Sequence, residues 1–215
     1  MQLFLSRKVL LVNLNRGRLG SENAAALGAL LMGQLWASVQ RRATVSHEKR
    51  HAVPIYLDEF QETLRLPLDL GDAFAQARGY GVPLIVAHQH IAQLDGQTKA
   101  AVFANARSRI VFQAGHDDAV VLARLLGGSL KPEDIQRLGN FETYQALSVN
   151  GQTTAPASAT TLPLRKSMDT LMEVQKRTAE HFGRPRSEVD DELRARRTVQ
   201  PAGGQVGARR RGDGS

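Results

Sequence analysis

Short apolar runs alternate with amphipathic stretches over roughly the first 130 residues of the chain. The runs are rich in β-branched residues, as in strands buried on both faces; they are KVLLVNL (8–14), VPIYLD (53–58), VPLIVAH (82–88) and RIVFQAG (109–115). Helical periodicity lies between and after them, over about 68–78, about 98–106 and Asp117 to Leu126. Strands alternating with helices predict an α/β fold: a mainly parallel sheet with helices on both faces.

The first predicted helix begins after a turn at Gly17 and Gly20, with Ser21 as its N-cap. Its leucines and a valine recur at helical spacing and predict the face that packs on the sheet; they are Leu27, Leu30, Leu31, Leu35 and Val39.

The pattern changes after Pro132. A short helix PEDIQRL precedes ETYQALSVNGQTTAPASATTL, which predicts a β-hairpin with Asn150-Gly151 as a type I′ turn. A polar helix from Ser167 to about His181, a second helix after Pro185 and a basic tail without a core-forming pattern complete the chain. The predicted division is an α/β part over 1–165, a helical extension over 166–197 and a disordered tail over 198–215.

Composition narrows the class of protein. The chain has 215 residues, no cysteine and a net charge of +7, and the longest apolar run is shorter than the roughly 18 residues of a membrane span. A chain without disulfides predicts a reducing, cytoplasmic location. Residues 54–183 carry twelve Lys/Arg against fourteen Asp/Glu, so the positive charge comes from the two ends. Such ends either attract a polyanion such as nucleic acid or a membrane surface, or are a solvated face and tail.

Polar residues follow two of the predicted strands at the same sheet edge. VPIYLD ends on Asp58-Glu59 and VPLIVAH runs into His88-Gln89. Nucleotide hydrolases place an aspartate there to hold Mg²⁺ through water, a glutamate to handle the attacking water, and a polar sensor on the next strand. An acid pair capping a helix would look the same, and a lone histidine at a strand end is more often structural.

Arg78 lies before the strand VPLIVAH, at the end opposite to Gln89. From there it could reach only a nucleotide bound to a neighbouring subunit. A helix C-terminal arginine interacting with the dipole is the simpler interpretation. The sequence contains no GxxxxGK[ST] phosphate loop: GRLGSENA (17–24) has two glycines before a helix but no Lys-Ser/Thr.

Five segments of the chain, taken in order, resemble the C-terminal half of the motor domain of TraG/TraD-type coupling proteins. They are KVLLVNL, VPIYLDEFQ, AFAQARGYGVPLIVAHQHIAQL, AVFANARSRIVFQAGHDDAVVLARLL and KPEDIQRLGNFETYQALSVNGQTTAPASATTLP. These are conjugative, type IV secretion members of the FtsK/HerA family of DNA-pumping ATPases. The resemblance covers about residues 5–165.

The resemblance implies a partial RecA-like core, a hexameric ring around DNA, and ATP with Mg²⁺ as cofactors. Asp58 would be the Walker B magnesium ligand, Glu59 the catalytic base, Gln89 the sensor and Arg78 the arginine acting in trans. It also implies contact with the relaxosome accessory protein TraM. Relatives carry a Walker A loop in the preceding half and often a membrane anchor, so the chain is expected to be a truncated gene or one half of a split gene, with weak or no ATPase activity unless a Walker A-bearing partner is present.

The rival hypothesis is a non-catalytic DNA-binding or adaptor module, or a truncated remnant. Its phosphate contacts would come from the basic ends: Arg41, Arg42, Lys49, Arg50 and Arg209 to Arg211.

Overall fold

The computed structural model describes residues 8–63, 70–166 and 168–198. It divides into two compact units, Met1–Leu162 and Pro163–Ser215. In the described residues of the first unit the helices are α1 (Arg16–Leu19), α2 (Ser21–Gln40), α3 (Phe60–Thr63), α4 (Leu70–Gly79), α5 (Gly96–Asn105), α6 (His116–Leu126) and α7 (Pro132–Gln136). Its strands are β1 (Ile55–Leu57), β2 (Leu84–Val86), β3 (Arg109–Val111), β4 (Glu142–Ala146), β5 (Ser148–Val149), β6 (Gln152–Thr153) and β7 (Ala157–Thr160). The second unit contains α8 (Leu171–Phe182) and α9 (Arg186–Thr198).

Strands β1 and β2 form a parallel pair, with Ile55 opposite Leu84 and Leu57 opposite Val86. These four side chains pack on two hydrophobic clusters. One cluster is built on Trp36, Val39, Ala73, Ala77 and Val82, and the other on Phe60, Leu94 and Val102. The helices that pack on this side of the β1–β2 pair therefore hold the two strands, and with them their carboxyl ends, in place.

The expected single, mainly parallel sheet is not observed. Among the described strands only β1 and β2 pair in parallel, while β3-β4-β7 and β5-β6 are antiparallel. Helices do not cover both faces of the parallel pair either, because Tyr56 is 73% and Ile85 39% exposed. The architecture is a mixed arrangement of helices and small sheets.

The hairpin is observed where the Asn-Gly pair predicts it. Strands β5 and β6 flank Asn150 (φ 50°) and Gly151 (φ 83°), and two consecutive positive φ angles are the mark of a type I′ turn. Strand β4 packs with β3 and α6 on a cluster around Val111, Leu126 and Ile135.

The predicted strand over 8–14 is wrong. Residues 8–14 form no strand, and Val9 and Leu11 are 84% and 86% exposed. A strand exists through the hydrogen bonds of its ladder, and no described strand pairs with this segment. Apolar composition alone could not supply that neighbour.

Helix α2 is present, but its buried face differs from the predicted one. Of the five predicted residues, Val39 is fully buried and Leu31 and Leu35 are half-buried, but Leu27 and Leu30 are exposed. The buried residues of the helix are Ala24, Gly28, Met32, Trp36 and Val39. The helix is apolar on most of its surface, so periodicity gave only part of the buried face, and the bulky Met32 and Trp36 complete the contact. The predicted N-cap at Ser21 is also wrong, because Gly20 (φ 80°) occupies that position.

Two arginines brace the segment that precedes β1. Arg42, only 7% exposed, donates from Nη2 to the carbonyl of His51 at 2.5 Å. Arg50 donates from Nε to the carbonyl of Val45 at 2.8 Å and from Nη1 to that of Gly79 at 2.7 Å. Burial, and then the charge of Arg50, lower the pKa of Arg42. Both guanidinium groups therefore bind backbone carbonyls.

Replacement of Arg50 by Ala should lower the free energy of unfolding by about 2 kcal/mol, because backbone carbonyls lose a charged donor. Lys49→Ala, one residue away on an exposed side chain, is the matched control and should change it by less than about 0.5 kcal/mol. Urea denaturation followed by circular dichroism measures both. Equal effects of the two substitutions would show that Arg50 is not a structural brace.

Candidate functional site

The two predicted polar strand ends meet in the structure. Because β1 and β2 are parallel, Asp58-Glu59 and His88-Gln89 leave the pair at its carboxyl edge. Gln89 Nε2 donates to Glu59 Oε1 at 2.5 Å. A charge-assisted hydrogen bond of this kind orients the carboxylate and leaves its second oxygen available for another donor.

The backbone holds Glu59 in an uncommon conformation. Its φ is 46°, in the left-handed region that non-glycine residues rarely adopt. Asp58 Oδ1 accepts the N–H of Glu59 at 3.1 Å, and the N–H of Phe60 donates to the carbonyl of Ala87 at 3.2 Å. Since Phe60 is fully buried, the chain is anchored immediately after Glu59. Strain imposed by such an anchor is a feature of functional sites and supports a functional hypothesis for this residue.

A second layer of polar contacts fixes the segment after β2. Gln61 Nε2 donates to Gln93 Oε1 at 3.1 Å, and the same oxygen accepts the N–H of His90 at 3.4 Å. Asp118 on α6 accepts the N–H of Ile91 at 3.1 Å. Sequence reasoning missed Gln61, Gln93 and Asp118, because none of them lies at a strand end and the Gln61–Gln93 and Ile91–Asp118 contacts join residues 32 and 27 positions apart.

His88 has a structural environment. Its ring meets Phe60 edge-to-face at 5.8 Å between centroids. Burial lowers the pKa of His88, against smaller raising contributions from the backbone of His90 and from Asp118. The side chain is therefore neutral near pH 7 and packs on the anchor of the Glu59 turn, in agreement with the structural interpretation.

Arg78 lies at the other end of the pair. It occupies the last turn of α4, is exposed, and its carbonyl accepts the N–H of Gly81 at 3.1 Å, before β2 begins. The structure thus places Arg78 at the amino edge and Glu59 at the carboxyl edge, as the sequence predicted.

The carboxyl edge fits part of an Mg²⁺–nucleotide site. Asp58 is exposed and Glu59 is half-buried, and Mg²⁺ typically uses one or two protein carboxylates completed by water and phosphate oxygens. Within residues 8–63, 70–166 and 168–198 no group of three or more His, Asp or Glu could hold a metal ion without such help. The sequence contains carboxylates at this edge but no GxxxxGK[ST] phosphate loop.

No described helix combines the length and the apolar character needed to cross a membrane.

The fold and the edge define a mixed α/β protein with a carboxylate–amide pair at the end of a parallel strand pair. The family described as "TraM recognition site of TraD and TraG" matches residues 52–161, just over half of the chain. The chain therefore belongs to the TraG/TraD family of coupling proteins.

A solved structure of the bacterial conjugative coupling protein TrwBΔN70, in its unbound monoclinic form, has a similar fold. The TM-score is 0.51 at 18% sequence identity, and the match covers 63% of this chain and 37% of that one. The chain thus spans little more than a third of that relative's length. A search of curated proteins gives no match.

Proposed function

We propose that this chain is the Walker B and sensor part of an ATP-driven, DNA-translocating coupling protein of conjugation. The observation that carries the proposal is the Glu59–Gln89 hydrogen bond at the carboxyl edge of a parallel pair. Family membership supports it. A RecA-like arrangement of the complete motor, and a homo-hexameric ring around DNA, belong to the same proposal.

Each residue of the edge has a role in this proposal. Asp58 would hold Mg²⁺ through water, and Glu59 would accept a proton from the attacking water or orient it. Gln89 fixes one oxygen of Glu59, so that the other is directed at the water. ATP with Mg²⁺ would supply the phosphoryl group and the positive charge that stabilises its transfer. Water handling is thus assigned to this chain, and the phosphate grip to a Walker A-bearing polypeptide.

The basic residues that precede β1 give only limited support to the rival DNA-binding or adaptor function. Arg42 and Arg50 were two of its phosphate contacts, yet both guanidinium groups bind carbonyls. Of that cluster, Arg41 and Lys49 are exposed, and the remaining candidates, Arg209 to Arg211, lie outside the described residues. Salt-sensitive DNA binding that survives Asp58→Ala and Glu59→Ala would favour this alternative.

The matched family also suggests a protein partner. We assign contact with a relaxosome accessory protein of the TraM type to residues 52–161, the matched segment. Calorimetric titration of the chain with such a protein should give saturable binding. Absence of binding to a folded chain would remove this assignment and leave the assignment of the carboxyl edge intact.

The purified chain alone should hydrolyse ATP slowly or not at all, with or without DNA, because the phosphate loop contributes most of the nucleotide affinity. Adding a Walker A-bearing TraG/TraD-type polypeptide should raise turnover, and Glu59→Gln should then reduce it by about 10²- to 10⁴-fold. Gln113→Ala, which removes an exposed amide that donates to the carbonyl of Gln136, is the control and should retain most activity. Robust turnover by the chain alone, abolished by Glu59→Gln, would show that it needs no external phosphate grip.

Mixing subunits tests whether Arg78 acts in trans. In the reconstituted ring, Arg78→Ala and Glu59→Gln should each be inactive. A 1:1 mixture should regain about a quarter of wild-type turnover, because a quarter of the interfaces then pair an intact Arg78 with an intact Glu59. Arg124→Ala, an exposed arginine in the last turn of α6, should have little effect. Full activity of a ring made only of Arg78→Ala subunits would limit Arg78 to a structural role, its interaction with the helix dipole.

A further inference from the structure

Helix α8, in the second unit, has an exposed apolar face outside the matched family segment. Its large apolar side chains are all more than half exposed: Leu171 (65%), Met172 (78%), Val174 (52%) and Phe182 (68%). No residue of α8 is buried among the residues that the structure describes. At about 100° per residue these side chains lie within a sector of about 160°.

Polar atoms contribute little to this face. Thr178 lies within the sector, but its hydroxyl donates to the carbonyl of Val174 at 2.7 Å, so its methyl group is presented outward. Gln175 adds one flexible amide. The face is otherwise hydrocarbon, and a 12-residue helix is marginal in water unless such a face is buried.

The charges of α8 are ordered around the apolar face. Lys176 lies on one flank, while Arg177 and His181 lie on the other. The two acids, Glu173 and Glu180, lie at the centre of the polar side, farthest from the apolar face. Ion pairs link Lys176 to Glu180 and Arg177 to Glu173, but all four side chains are more than half exposed, so these pairs are weak and exchangeable.

The adjoining residues add positive charge and further exposed hydrocarbon. From Pro163 to Arg186 the chain carries six basic residues against three acids; the basic ones are Arg165, Lys166, Lys176, Arg177, Arg184 and Arg186. Leu164 and Met168 are 98% and 87% exposed. Arg184 is ion-paired with Glu188 and Glu192, and Arg186 with Asp190, all on α9. The segment thus combines an apolar sector and basic flanks with the adjacent cations Arg165 and Lys166.

We infer that α8 lies on an anionic lipid surface, with its apolar face among the acyl chains and its basic flanks at the headgroups. This arrangement matches the general physics of interfacial helices. A coiled coil with a second copy is disfavoured, because the apolar sector is wider than a heptad seam and 12 residues are fewer than two heptads. The inference does not depend on nucleotide hydrolysis.

Co-sedimentation of the full chain with lipid vesicles tests the inference. Binding should be strong to vesicles of phosphatidylglycerol and phosphatidylcholine in equal parts, weak to phosphatidylcholine alone, and reduced by salt. The double variant Leu171→Gln/Phe182→Gln, which leaves the net charge unchanged and uses a good helix former, should lower the partition coefficient at least about tenfold. Leu27→Gln/Leu30→Gln, on the exposed side of α2, is the matched control and should bind as the unmodified chain does.

Three results would overturn the inference. The first is unchanged binding of the α8 variant. The second is binding that survives in that variant and disappears when Arg209, Arg210 and Arg211 are replaced by Ala, which would assign the membrane contact to the tail. The third is no vesicle binding together with a dimer in light scattering that the α8 substitutions dissociate, which would assign the face to a second copy.

Discussion

The parallel pairing of β1 and β2 is the constraint on which the site depends. It ends both strands at one edge, where Gln89 Nε2 lies 2.5 Å from Glu59 Oε1 although the two residues are 30 positions apart in the chain. The burial of Ile55, Leu57, Leu84 and Val86 on two hydrophobic clusters keeps that edge in place. The anchor at Phe60 then turns the chain so sharply that Glu59 adopts a positive φ. The geometry of this edge therefore depends on the packing of β1 and β2 against the two clusters.

The two ends of the strand pair perform different tasks. At the amino edge Arg42 and Arg50 satisfy backbone carbonyls, which is a structural use of charge. At the carboxyl edge Asp58 accepts the N–H of Glu59, and Glu59 accepts from the amide of Gln89. Arg78 at the amino edge can contribute to nucleotide chemistry only across a subunit interface, so our proposal makes the activity of this chain a property of an assembly.

Residues at strand ends were predictable from the sequence, because an apolar run followed by acids or amides fixes both the element and the edge. The turn at Asn150-Gly151 was predictable for a similarly local reason. The buried side of α2 was predictable only in part, at Val39 and the half-buried Leu31 and Leu35, since a helix apolar on most of its surface gives a weakly preferred face. The failure at 8–14 has another cause: a strand requires a partner, and the pattern of one segment cannot show whether one pairs with it. The contacts of Gln61, Gln93 and Asp118 depend on tertiary structure and leave no local signal.

We propose that Glu59 and Gln89 act as one unit in handling water. A double-mutant cycle on turnover in the reconstituted motor tests it most directly, with Glu59→Gln, Gln89→Ala and the combined variant. If Gln89 acts by orienting Glu59, the combined variant should be no slower than Glu59→Gln alone. Multiplicative losses, with the combined variant slower by the product of the two single effects, would contradict the account.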